Sequence, residues 1–102
     1  MLGTYRAVGD IDMATAPALG IALRDVIDRS DEHVVRVDCS GVTFMGSAGF
    51  HVLISTTVYA ARRGHTLVID DMSPSCTRLL QLCDVDHKLH VERSWPGPLA
   101  RQ

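Results

Sequence analysis

Apolar residues recur along this chain in two rhythms: short β-branched runs, and longer stretches with a helical period. Thr4–Val8 reads as a short strand closed by Gly9-Asp10. Thr15 then offers an N-cap, and Pro17 sits in the first helical turn, where a missing N–H costs little. Leu19, Leu23, Val26 and Ile27 follow at i, i+4, i+7 and i+8, one stripe of an amphipathic helix that Asp31-Glu32 ends. His33–Asp38 has the β-branched density of a mostly buried strand. A loop at Ser40-Gly41 leads on to Val42–Met45. A second helix is expected from about Ala48 to Arg63, with Phe50, Leu53, Ile54, Val58 and Ala61 at helical spacing and Gly64 as its stop. Thr66–Asp70 is a third buried strand, and Ser73-Pro74 starts a third helix carrying Leu79, Leu80, Leu82 and Cys83. Leu89–Val91 is a last short strand, and residues 94–102 read as a mobile tail after a single domain over residues 1–93.

Strands separated by helices imply an α/β fold with parallel pairs, in which functional loops gather where strands end and helices begin. Three segments qualify: Asp10–Thr15, Ser40–Gly49 and Asp71–Ser75.

Composition narrows what such a domain can do. The chain has 102 residues and a formal charge of −2, from 10 Lys and Arg against 12 Asp and Glu. Nine of the ten basic residues are Arg, spread from Arg6 to Arg101, and no run of them forms a stripe, which argues against nucleic acid as the main partner. There is neither a signal peptide pattern nor an apolar run of the ~20 residues a membrane helix needs, so the expected setting is the cytoplasm. Cys39, Cys76 and Cys83 lack a C-x-x-C spacing and read as reduced, packed side chains. Cys39 precedes the central loop, where oxidation would disturb it.

The most informative stretch is Asp38–Phe50, with three glycines and several hydroxyl residues. Ser47 falls at the start of the second helix. One reading makes it an N-cap; the other makes it an accessible hydroxyl at the positive end of a helix dipole, where a phosphate would be held well. The two readings are compatible. Thr43 is a second hydroxyl in the same stretch. A P-loop is excluded by the missing lysine before Ser47. Ser47, Asp70 and His87 follow the chain order of a hydrolase triad, but Met45 stands where the nucleophile elbow needs glycine, and the chain is short for that fold. His87 and His90 lack a third ligand for a metal, and His51 and His65 read as solvated, so neither metal nor cofactor is expected.

Three signatures in register resemble the STAS domain of the anti-sigma-factor antagonist family. Gly9-Asp10-Ile11-Asp12 with Thr15-Ala16-Pro17-Ala18-Leu19 is similar to that family's first loop and helix start. Val35–Phe50 resembles its strand, D-x-S-x-V and F-[ML]-D-S-[SA]-G-[LIV] motif, and Ala60–Ile69 its helix end, glycine and strand.

The resemblance implies a mixed sheet of about four strands flanked by helices, with an opening strand short or missing. It also implies a non-enzymatic protein, a monomer or weak dimer, that binds an anti-sigma factor with serine-kinase activity and thereby releases sigma. Phosphorylation at Ser47 would switch it off, and a phosphatase would reset it. Its partner-binding residues would be Asp12, Thr15, Thr43, Met45, Gly46, Ala48, Gly49, Asp71, Met72 and Ser73, with exposed positions of the second helix. One departure stands out: Gly46 occupies the place of the acidic residue that usually precedes the serine. It motivates the alternative of a STAS module that is not phosphorylated and acts as a scaffold, nucleotide sensor or transporter accessory.

Overall fold

Each return from one strand to the next through a helix sets neighbouring strands parallel, and that rule organises this molecule. A computed structural model describes residues 3–74, 76–78 and 90–92, the last three by their backbone. Its elements are β1 (Thr4–Ile11), α1 (Ala16–Arg29), β2 (Val34–Met45), α2 (Ser47–Arg62), β3 (Thr66–Asp70) and β4 (His90–Glu92). The four strands lie in the order β1-β2-β3-β4. The α/β class and the four helix-flanked strands match expectation. Among the described residues, all three strand pairings are parallel. Nothing pairs with the outer edge of β1 among the described residues.

β2 corrects the expected loop at Ser40-Gly41, which is strand throughout. Its buried residues are Val35, Val37, Cys39, Val42 and Met45, so the spacing changes from two to three after Cys39. The cause is the pairing with β1. Thr4–Ile11 faces Arg36–Met45, with register shifts between Arg6 and Val8 and between Gly9 and Asp10, so β2 carries two more residues than its partner. Each extra residue is a bulge that turns the following side chains to the other face. β1 likewise runs on through Gly9, whose φ of +80° suits glycine alone, to end at Ile11.

Because the strand order follows the chain order, right-handed crossovers put α1 and α2 on one face of the sheet. Leu23 and Ile27 of α1 and Leu53 and Ala60 of α2 are fully buried against Val35, Val37, Leu67 and Ile69. Thr56, the one buried polar side chain among the described residues, donates its hydroxyl hydrogen to the Val52 carbonyl at 2.8 Å. β2 and β3 are also clamped by Arg36, whose guanidinium reaches both Asp70 oxygens at 2.9 and 3.1 Å. Ser73 and Pro74 do open a helical turn, with the Ser73 hydroxyl accepting the Cys76 N–H at 3.2 Å. Leu79, Leu80, Leu82, Cys83, His87 and the tail 94–102 lie outside the described residues.

Candidate functional site

The carboxyl ends of β1 and β2 stop side by side, so the two segments that start the helices meet. Ile11 is the register partner of Met45, and the Gly46 N–H donates to the Ile11 carbonyl at 3.0 Å. Ser47 follows as the exposed first residue of α2. It is not the N-cap: Gly46 holds that position, in extended backbone (φ −91°, ψ −176°) and without a side-chain cap. The Gly46 carbonyl accepts the Gly49 and Phe50 N–H groups at 3.0 and 3.2 Å. The Ser47 and Ala48 N–H groups therefore face outward unpaired within the described residues, at the positive end of the α2 dipole. The Ser47 hydroxyl makes no hydrogen bond there either.

Asp12 and Thr15 build the neighbouring turn. One Asp12 carboxylate oxygen accepts the Ala14 N–H at 2.9 Å and the Thr15 N–H at 3.1 Å. Thr15 accepts the Asp12 N–H at 2.9 Å and lies 2.8 Å from the Asp10 carbonyl, to which its hydroxyl donates. The Thr15 and Ala14 amides, then the Thr15 hydroxyl, hold the Asp12 carboxyl below its ordinary value. Thr15 thus occupies the N-cap position of α1, as expected, but its hydroxyl turns back toward Asp12 instead of capping the helix. Both residues are exposed and both shape the loop.

Thr43 is exposed, yet its hydroxyl is engaged, donating across to the Asp10 carboxylate. Three expected contact residues are corrected by burial. Met45 is fully buried, Met72 is 5% exposed and Gly49 is buried against Met45 and Ile11. They form the floor under the loops and offer a partner no surface. Asp71 and Ser73 are half-buried at the end of β3, Asp71 in the left-handed region with φ +59°.

Beside Ser47 runs an open groove of about 410 Å³. Met13, Ala16 and Pro17 form one wall, and Ser47, Ala48, His51 and Val52 form the other. The segment 71–73 contributes nothing to it. Met13 is 82% exposed, and Phe44, against which a side chain at position 46 would rest, is 48% exposed. Ser47 therefore sits among exposed apolar side chains, the setting of a contact face. Sequence reasoning does not single out Met13 within the segment Asp10–Thr15, and it covers His51 only as one of the exposed positions of the second helix. His51 follows Ser47 by one helical turn, a spacing that would have flagged it; Met13 is brought in only by the packing of α1 on α2.

The remaining chemistry is quiet. Asp70, the acid of the conceivable triad, is occupied by Arg36. Cys39 is buried, and desolvation, with help from Asp38, pushes its thiol up to about 12. That environment disfavours the thiolate, and the burial of Cys39 agrees with its reading as a reduced, packed side chain. Among the described residues, no cluster of His, Cys, Asp and Glu could hold a metal ion, and no helix is long and apolar enough to cross a membrane.

Comparison with known proteins gives a consistent pattern. The family model described as "Mlab, STAS domain" matches residues 4–92. The crystal structure of an anti-sigma factor antagonist from Mycobacterium paratuberculosis is similar at TM-score 0.69 and 25% identity, over 95% of this chain and 79% of that one. The anti-sigma factor antagonist SpoIIAA in its unphosphorylated form is similar at TM-score 0.65 and 12% identity, over 90% and 79%. A sulfate transporter family protein from Wolinella succinogenes is similar at TM-score 0.59 and 17% identity, over 92% and 80%. The last two likenesses concern the fold alone.

Proposed function

The chain belongs to the STAS-domain family, and on that footing we propose that it is an anti-sigma-factor antagonist, switched by phosphorylation of Ser47. The observation that carries this reading is the Ser47 hydroxyl, exposed and without a described hydrogen bond at the first residue of α2. The likeness to the mycobacterial antagonist supports it. The unmodified protein binds an anti-sigma factor in the cytoplasm and so frees sigma; it acts by association, not catalysis.

The switch follows from the local chemistry. An anti-sigma kinase would transfer the γ-phosphoryl group of ATP to the Ser47 oxygen, with ADP leaving and the hydroxyl proton passing to the kinase or water. The product carries about −1.5 to −2 charge at neutral pH. The free Ser47 and Ala48 amides and the helix dipole would hold that charge in the free protein. Inside an apolar contact between Met13 and Phe44 the same charge would have to be desolvated, so the phosphorylated form releases its partner. A phosphatase restores binding.

The test is a pull-down of anti-sigma factors with wild type, Ser47→Ala and Ser47→Asp, alongside mass spectrometry after incubation with the kinase and ATP. Binding by wild type and Ser47→Ala, loss with Ser47→Asp and one phosphoryl group on Ser47 are expected. An unmodified Ser47, or equal binding by all three forms, overturns the reading. A second reading, a STAS module that serves a transporter or scaffold without phosphorylation, is favoured by Gly46, which leaves Ser47 with no adjacent carboxylate. Equal binding by the Ser47 variants to such a partner would support it.

A further inference from the structure

α1 and α2 run parallel, and their exposed lines form a continuous seam. Pro17 and Ser47 share the groove at the amino ends, Gly20 lies against Val52 midway, and Asp28 accepts the Tyr59 hydroxyl at 2.9 Å near the carboxyl ends. On α1 the exposed positions Pro17, Ile21, Arg24 and Asp28 repeat at i, i+4, i+7 and i+11. On α2, Ser47, His51, Ser55, Val58 and Arg62 repeat at i, i+4, i+8, i+11 and i+15. Both sets are single helical faces. Ile21, 71% exposed, and Val58, 48% exposed, add apolar surface along the line.

At the carboxyl end, the seam widens into a second open groove of about 350 Å³, lined by Arg24, Ser55, Val58, Tyr59 and Arg62. Its charge is lopsided. The carboxylates nearby are already used: Asp25 by Arg29 at 3.0 Å and Asp28 by Arg63 at 2.9 Å. Arg24 and Arg62 have no carboxylate partner among the described residues, and both are exposed. Arg62 has a local reason to be there, since it lies in the last turn of α2 and meets the negative end of the dipole. Arg24 lies inside α1 and is held over the Tyr59 ring, 5.4 Å from its centre. A chain of net charge −2 thus keeps two guanidiniums without a carboxylate partner, among the described residues, at one end of an apolar seam.

We infer that the contact face extends from Ser47 along the α1–α2 seam to Arg24 and Arg62, and that it receives an acidic amphipathic helix of a partner protein, its carboxylates over the two arginines. This rests on the proposed reading only in taking the Ser47 end as part of the same face. Ser47 to Arg62 spans ~22 Å of helix at ~1.5 Å per residue, so the occupant is a helix of about 15 residues. Its apolar side covers Met13, Ile21 and Val58. The basic end steers and anchors, and the Ser47 end is where added negative charge repels. Nucleic acid fits less well: two arginines beside exposed isoleucine and valine give no phosphate-tracking stripe.

The test uses isotope-labelled full-length protein and a synthetic helical peptide of about 16 residues, with leucines along one face and glutamates near one end. Amide shifts are expected at Met13, Ile21, Arg24, His51, Val58 and Arg62. Binding should weaken about tenfold or more with a glutamine-for-glutamate peptide, and likewise with the Arg24→Glu/Arg62→Glu protein. Arg78→Glu, an exposed arginine off the seam, should leave binding unchanged. A milder Arg24→Gln/Arg62→Gln variant, folded by circular dichroism, separates lost charge from lost structure. Shifts confined to the β1 edge, equal binding of both peptides, or equally tight binding of a short DNA duplex would overturn the inference. An anti-sigma factor that binds Arg24→Glu/Arg62→Glu as tightly as wild type would overturn it while leaving the Ser47 switch intact. Loss of the Ser47 switch alone would leave the peptide result standing.

Discussion

A methyl group placed on Gly49 would lie 2.6 Å from Cγ of Met45 and 2.8 Å from Cγ2 of Ile11. The first turn of α2 is thus pressed onto the ends of β1 and β2 at a spacing that only a residue without a side chain allows. This contact fixes the height of Ser47 above the sheet.

Gly49→Ala should therefore destabilise the fold by about 1–3 kcal/mol, the usual range for forcing extra volume into a packed core. Both obstructing atoms belong to buried side chains, so neither can swing into solvent. Urea unfolding followed by circular dichroism measures it. A midpoint equal to wild type would mean that α2 can lift off the sheet without cost, and that Ser47 is not rigidly placed.

Cys39 should resist thiol reagents in the folded protein. It is 1% exposed, and its thiol is pushed up to about 12 by burial, so almost no thiolate exists at neutral pH. Mass spectrometry after native treatment with iodoacetamide should find Cys39 unmodified, and after unfolding in urea fully modified. Fast native labelling would show that the β1–β2 ladder opens readily around the bulge that follows Cys39.

Much of this architecture is readable from residue patterns, and the places where reading stops have physical causes. The stripe Leu19, Leu23 and Ile27 announces an amphipathic helix by its helical period, and the unbroken apolar run Leu67-Val68-Ile69 announces a strand buried on both faces. β2 breaks its period at two bulges, so Ser40-Gly41 resembles a loop while forming strand. Ser47 was legible through its motif and its position at a helix start. The inward side of Met45 and Met72 was not, since both follow irregular backbone where alternation gives no phase. Met13 became part of the candidate site only when α1 and α2 were docked.

Asp12 should make stability depend on pH at the acid end. Its carboxyl titrates below the ordinary value of 3.8 because the Thr15 and Ala14 amides and the Thr15 hydroxyl favour the charged form. A group depressed by folding contributes stability that is complete above its unfolded value and disappears as pH falls through the lowered one. Urea midpoints for wild type should therefore begin to drop below about pH 3.8, and Asp12→Ala should start lower at neutral pH and fall less steeply there. Parallel pH curves for the two proteins would show that the loop before α1 does not depend on the ionised carboxylate.

Gly46→Asp should fold at least as well as wild type. Its backbone, at φ −91°, suits any residue, and a Cβ there would meet Phe44 at 3.4 and 3.6 Å, close to ordinary contact. Aspartate is among the best N-cap residues, and α2 has no side-chain cap of its own, so a gain of a few tenths of a kcal/mol is expected from the new bond to an α2 amide. The same carboxylate would stand beside the Ser47 hydroxyl, offering the divalent cation of ATP an oxygen ligand next to the acceptor. Phosphoryl transfer from an anti-sigma kinase should therefore run several-fold faster on Gly46→Asp than on wild type, in magnesium, with the double variant Gly46→Asp/Ser47→Ala unmodified. Stability rising while the rate stays fixed would separate the two roles and leave Gly46 as a capping difference only. Equal absence of phosphate on both proteins, with partner binding retained, would instead favour the STAS module that works without a phosphate switch.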